Sequence, residues 1–158
     1  MYYTGKSPEL TISAVFDLTP LYPDYFKPTW MKDLMTWYIA TYKDQNFISP
    51  QPWFTACRWM ELFYHAPLSL WAVRAIWRDN PNLPIHLLVF AVQTAVTTFI
   101  CIVDFVSWDV ITTDEKVQIG TLYGPYLLLA VLMGLDMLGR LKKTTGALMG
   151  KSRALKNR

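Results

Sequence analysis

Charge is what this chain has least of. Only 17% of its 158 residues are Asp, Glu, Lys or Arg, where a water-soluble domain carries about 25%. Between Asn80 and Val103 there is no formal charge, only neutral His86, over 24 residues; Val117 to Leu135 adds 19 more. A helix rises about 1.5 Å per residue, so ~20 residues cross a hydrocarbon core of ~30 Å. Two such runs in one short chain point to a membrane rather than to a pair of buried core helices. Cysteine is scarce as well. Cys57 and Cys101 both sit in apolar stretches and read as small buried residues, not as a disulfide. No Cys/His spacing suits zinc and no glycine-rich loop suits a phosphate, so neither a metal nor a cofactor is expected. The first apolar stretch has no basic region ahead of it, and no cleavable signal peptide is expected.

What the chain does have is aromatic residues: seven Trp, nine Tyr and eight Phe. Ser7 to Thr19 is a short apolar stub containing Asp17, followed by a turn-rich stretch with prolines at 20, 23 and 28. Thr29 to Lys43 patterns as an amphipathic helix. Trp30, Met31, Leu34, Met35, Trp37, Tyr38 and Tyr42 fall towards one broad side, with Lys32, Asp33, Thr36 and Lys43 opposite. Aromatics at that density suit the headgroup layer, so a helix lying flat at the interface is expected; a core helix in a soluble lobe is the alternative. SPQPW (49–53) then opens a segment running to about Ala75, with Pro67 expected to kink it. Pro84–Phe105 and Val117–Leu138 complete three clear spans. The fold class read from this pattern is all-α: a polytopic membrane helical bundle with a shortened first helix and a lumenal interfacial helix. Residues 1–140 would form the membrane domain and 141–158 a basic tail.

Charge placement orients the bundle. From Arg140 to Arg158 there are seven basic residues and no acidic one, which leaves eight basic and twelve acidic in the rest. Positive segments stay cytoplasmic, so the tail is expected in the cytosol and the acidic 104–116 connection on the far side. The short loop with Arg74 and Arg78 then returns to the cytosol, and 20–52 is lumenal. A juxtamembrane basic tail meets anionic lipid; nucleic acid is not the expected partner.

Against this background Glu61 stands out, in the run RWMELFYHAP (58–67). An ionisable group at a span's centre costs roughly 2.5–3.5 kcal/mol, against a return of ~0.3–0.6 from a Leu or Phe. Three arrangements would relieve it. Arg58, three residues earlier, could pair with it. It could be protonated and hydrogen-bonded to a neighbouring helix. Or it could line a ligand cavity with Asp17, the two acids sharing one proton so that the remaining charge attracts a cation or a hydroxyl. Counted by helical rise, Tyr123 and Tyr126 fall about 9–14 Å below the lumenal face, level with Glu61. Gln93, Thr97 and Thr98 lie mid-way along their own segment. The step Tyr123-Gly-Pro-Tyr126 is expected to interrupt its helix.

VFDLTPLYP (15–23), WYIATYKD (37–44), PQPWF (50–54), MELFYHAP (60–67), PLSLWAV (67–73) and YGPYLLL (123–129), in this order and spacing, resemble the EXPERA-domain membrane proteins. These comprise the sigma-2 receptor, the emopamil-binding sterol isomerase and related lipid-handling proteins; the sigma-2 branch is the nearer resemblance. The likeness spans roughly residues 12 to 140. It implies a four-helix endoplasmic reticulum protein with both termini cytosolic and a cavity that binds sterols and cationic amphiphiles. Carried onto matching positions, Asp17 would pair with a ligand amine, Glu61 would be the protonated acid beside it, and Tyr126, with Tyr123, would line the pocket. The isomerase branch needs a histidine about one turn before the first-helix acid, where Ser13 stands here, so a non-enzymatic role in sterol trafficking or homeostasis is expected. Sterol Δ8–Δ7 isomerisation and a role in assisting membrane or mitochondrial protein targeting are the alternatives. The expected partners are a sterol or other lipid and the bilayer; a homodimer is left open.

Overall fold

In a computed structural model of the chain, Thr19 and residues 23–156 are described. Asp17 and the shortened first helix expected around it lie outside those residues. All regular structure among the described residues is helical, without a strand. After a 3-10 turn at Asp24–Phe26 come α1 (Thr29–Tyr42), α2 (Gln45–Ile48) and α3 (Pro52–Met60). A π-helical turn at Glu61–His65 joins α3 to α4 (Ala66–Trp77); α5 (Leu83–Ser107) and α6 (Thr113–Lys156) follow. The protein is an all-α membrane protein. Among the described residues, two helices are long and apolar enough to cross a bilayer, α5 and the 113–150 part of α6. The third expected crossing, 53–75, is helical throughout but divided by the π turn.

At the two prolines expected to disturb their helices, the helix continues. Pro67 has no N–H to give the carbonyl four residues back, and its ring crowds that carbonyl. The chain answers one turn earlier: the Ala66 N–H donates to the Glu61 carbonyl, five residues back, and the widened turn lets the helix continue to Trp77. At YGPY the helix does not stop either. Pro125 lies inside α6, and losing one backbone donor from 44 residues leaves the helix intact. At about 1.5 Å per residue α6 is ~66 Å long, twice a hydrocarbon core. The basic segment after Arg140 is therefore a helical continuation of the last span as far as Lys156.

The chain forms two units, Met1–Trp71 with Phe105–Gly120, and Ala72–Asp104 with Thr121–Arg158. The first is tied by polar contacts between segments. Lys43, the left-handed cap of α1 (φ 51°), donates its N–H to Ile39 O and its ammonium to Glu115. Asp44, fully buried, caps α2 by accepting from the Asn46 N–H at 2.9 Å and takes the Tyr38 hydroxyl at 3.0 Å. Tyr38 packs on Tyr42 and Phe47, and Phe47 on Phe54, with ring centroids 5.1, 5.4 and 5.6 Å apart. At the start of α6, Thr112 and Glu115 cap each other reciprocally, at 2.8 and 3.4 Å. Lys116 meanwhile donates to the Val106 carbonyl in the last turn of α5. In the second unit the packing is by small residues. Ala72, Ala75, Ala91, Thr94, Thr98, Cys101 and Ala130 are buried, and a Cβ at Gly134 would stand 3.5 Å from that of Ala91.

Candidate functional site

Glu61 is the first residue of the π turn and is half-buried. Such turns are frequent at functional sites, and the extra residue shifts side chains relative to a regular helix. On its side of the helix, at steps of three and four, lie Phe54, Arg58, His65 and Leu68, all buried. Arg58 is only 4% exposed and His65 only 8%. The Arg58 guanidinium sits over the Phe54 ring at 5.1 Å from its centroid, and its Nη2 reaches the Thr55 hydroxyl at 3.5 Å. Phe54 ends the aromatic series that begins at Tyr38, so the Asp44 knot positions the ring on which Arg58 rests. The other side of the same helix is apolar and open. Trp59 and Phe63 stack at 5.6 Å with ring planes 13° apart, and Phe63 is 72% exposed. In a membrane protein that side meets lipid and the Arg58–Glu61–His65 column turns away from it.

The remaining expected site residues belong to the second unit. Gln93 and Thr97 are half-buried on α5, and the Thr97 hydroxyl bridges back to the Gln93 and Thr94 carbonyls at 3.1 and 3.2 Å. That hydroxyl is thereby satisfied within its own helix. The Gln93 Nε2 and the Thr94 hydroxyl oxygen are enclosed with no hydrogen-bond partner among the described residues. Tyr123 is half-buried and Tyr126 is 38% exposed on α6, one turn apart. Asp17, the acid expected opposite Glu61, lies outside the described residues. Among the described residues no three His, Cys, Asp or Glu side chains converge as metal ligands. Sequence reasoning passed over His65 as a site residue. The signal was present: Phe54, Arg58, Glu61, His65 and Leu68 recur at helical spacing, and two of these five are bases.

Residues 30–137 match the family described as EXPERA, the expanded EBP superfamily. This chain is an EXPERA protein. The matched region contains Glu61, Gln93, Thr97, Tyr123 and Tyr126, while Asp17 precedes it. The "Efficient mitochondria targeting-associated protein 19" of Schizosaccharomyces pombe is 32% identical over 120 residues, covering 74% of this chain. That match spans 62% of the fission-yeast protein's own length. "Sigma intracellular receptor 2" of Xenopus tropicalis is 30% identical over 139 residues, covering 82% of this chain and 81% of that protein. The human protein of the same name is 23% identical over 150 residues, covering 87% and 84%.

Proposed function

We propose that this protein binds a sterol or related lipid inside the membrane, with Glu61 as the polar contact, and acts in sterol trafficking or homeostasis at the endoplasmic reticulum. The carrying observation is the polar column of α3 and the π turn: an arginine, a carboxyl and an imidazole on the buried side of a helix whose other side faces lipid. Ionisable groups inside a membrane are costly and persist where they serve a ligand or proton path. Family membership and the two relatives named as intracellular receptors support this reading. Asp17 is the proposed second acid, and the basic continuation of α6 is placed in the cytosol by the positive-inside rule. The reading is of a binding protein, since Ser13 replaces the histidine that the isomerase branch requires. Photo-crosslinking with a diazirine-bearing sterol, in wild type, Glu61→Gln and Asp17→Asn, tests it. Labelling that falls about tenfold in both variants supports it; equal labelling in cleanly folded variants removes it.

A second reading, assistance in delivering mitochondrial proteins, is favoured by one observation: the name of the fission-yeast relative, which the chain matches over 120 residues. Proximity labelling from the α6 end separates the two. Recovery of mitochondrial precursors supports delivery, and recovery of lipid enzymes alone supports the sterol reading.

A further inference from the structure

The end of α6 lies apart from the ligand site and poses its own problem. Residues 117–138 are enough to cross the hydrocarbon, yet the helix runs on to Lys156. On a straight continuation Leu148 would stand ~15 Å beyond Leu138, past a headgroup layer only ~5–8 Å deep. Leu148 and Met149 are 63% and 62% exposed. Apolar side chains of that size would then project into water.

Round the helix, at 3.6 residues per turn, the stretch is two-sided. Thr144, Leu155, Leu148, Leu141, Ser152 and Thr145 fall in that order within an uncharged arc of about 100°. By the same register Arg140 and Lys151 border the arc on one side, Lys142 and Lys156 on the other. The last acid in the sequence is Asp136, held by Arg140 at 2.8 Å. A leucine row edged by basic residues suits an anionic interface. The leucines enter the acyl boundary, and the long basic side chains reach sideways to the phosphates. A second copy of the chain is the poorer occupant, because two such arms would set like charges against each other with no acid between them.

The link to the span is built to bend. A Cβ at Gly139 or Gly146 would meet nothing within 4 Å, so packing requires glycine at neither position, and each weakens the helix. Between them the Thr144 and Thr145 hydroxyls donate back to the Arg140 and Leu141 carbonyls, at 3.1 and 2.9 Å. Such back-bonding bends helices.

We propose that residues 141–156 form a hinged amphipathic arm that docks on the anionic phospholipid of the leaflet where α6 emerges. The leucine row, and not charge alone, holds it there. Docking follows the surface charge of the leaflet, so the arm responds to the lipid composition of its own membrane.

The test uses the full chain in nanodiscs, one chain per disc, with Cys57→Ala and Cys101→Ala and the dye NBD attached at Ser152→Cys on the uncharged arc. NBD brightens on leaving water. In phosphatidylcholine containing about 30% phosphatidylserine, emission should be at least about twofold that in phosphatidylcholine alone. Leu148→Glu and Ala147→Glu change the net charge equally, the first on the uncharged arc and the second on the charged side. Leu148→Glu should abolish the gain, while Ala147→Glu should keep at least about half of it. Equal losses in the two variants overturn the proposal, because charge alone would then account for docking. Equal wild-type emission in the two lipids overturns it without any variant. Emission that rises only with two chains per disc assigns the leucines to a second copy and overturns it as well.

Discussion

The two units solve the same problem, ordering helices in a poorly charged chain, by opposite means. The first is held by buried polar groups and large rings: Asp44 and Asn46 at the foot of α2, Arg58 over Phe54, and Lys43 reaching Glu115 across 72 residues of sequence. The second buries alanines, threonines and a cysteine, with Gly134 against Ala91. Between helices in lipid there is little hydrophobic drive, so packing depends on close backbone approach at small residues or on polar contacts between segments. Each unit takes one of these routes. The difference teaches where chemistry can reside. The small-residue unit carries neutral polar groups at Gln93 and Thr94, whereas the polar unit brings an acid and two bases onto the buried side of one helix.

The strongest way to break the comparison is to make the polar helix resemble α5. Glu61→Leu exchanges a cost of roughly 2.5–3.5 kcal/mol for a small gain, so the 50–78 segment should insert about 3 kcal/mol more favourably in a glycosylation-mapping assay, while the full chain loses sterol labelling. Unchanged insertion would place Glu61 outside the hydrocarbon. Next comes the knot below it. Asp44→Ala removes the α2 cap, worth about 1 kcal/mol, and takes the carboxylate acceptor from the buried Tyr38 hydroxyl, at roughly 1–3 kcal/mol. The melting temperature in detergent should fall by several degrees, and the Arg58 column should loosen with it.

In the second unit the expected effects are smaller and of both signs. Ala91→Leu forces bulk into a contact built for a methyl group and should cost about 1–3 kcal/mol. Gly134→Ala places its new carbon at ordinary contact distance from Ala91. It should therefore gain about 0.5–1 kcal/mol from helix propensity. If Ala91→Leu is harmless, the small-residue packing is not what holds this unit. The smallest effect concerns the surface pair. The Lys43 ammonium, and after it the Thr112 N–H, hold the Glu115 carboxyl below its ordinary range. A lowered acid stabilises the fold above its unfolded pKa, about 4.3 for Glu, and loses that contribution as pH falls through its folded value. Wild type should thus melt slightly above Glu115→Gln at pH 7, with the gap closing as the carboxyl is protonated in acid. A gap that persists in acid would assign the effect to the Thr112–Glu115 cap rather than to charge.

Much of the helical layout was legible in the residues. The amphipathic 29–43 segment, the uncharged 80–103 run and the start of the last span at 117 correspond to α1, α5 and α6 within a few residues. Periodicity and the absence of charge are local properties, and helices form from local bonds. The irregularity expected at Pro67 takes the form of the π turn just before it, while at YGPY the helix runs on through Pro125. A proline removes one donor wherever it stands, but whether a helix bends or widens depends on the neighbouring turns. At the site, Glu61 was conspicuous because a carboxyl among aromatics is costly in any fold. His65 was inconspicuous because a lone histidine in an apolar run is ordinary until its facing is known.

Composition and periodicity alone determined that this chain enters a membrane, that it does so as helices, and that one acid among its apolar residues requires an explanation. These follow from the cost of exposing backbone and charge to hydrocarbon, a cost paid residue by residue. Only the tertiary structure decided that Phe63 looks outward while Arg58 and His65 look inward, that the irregularity before Pro67 is a widened turn, and that Lys43 meets Glu115. Those outcomes depend on partners distant in sequence, which no local pattern specifies.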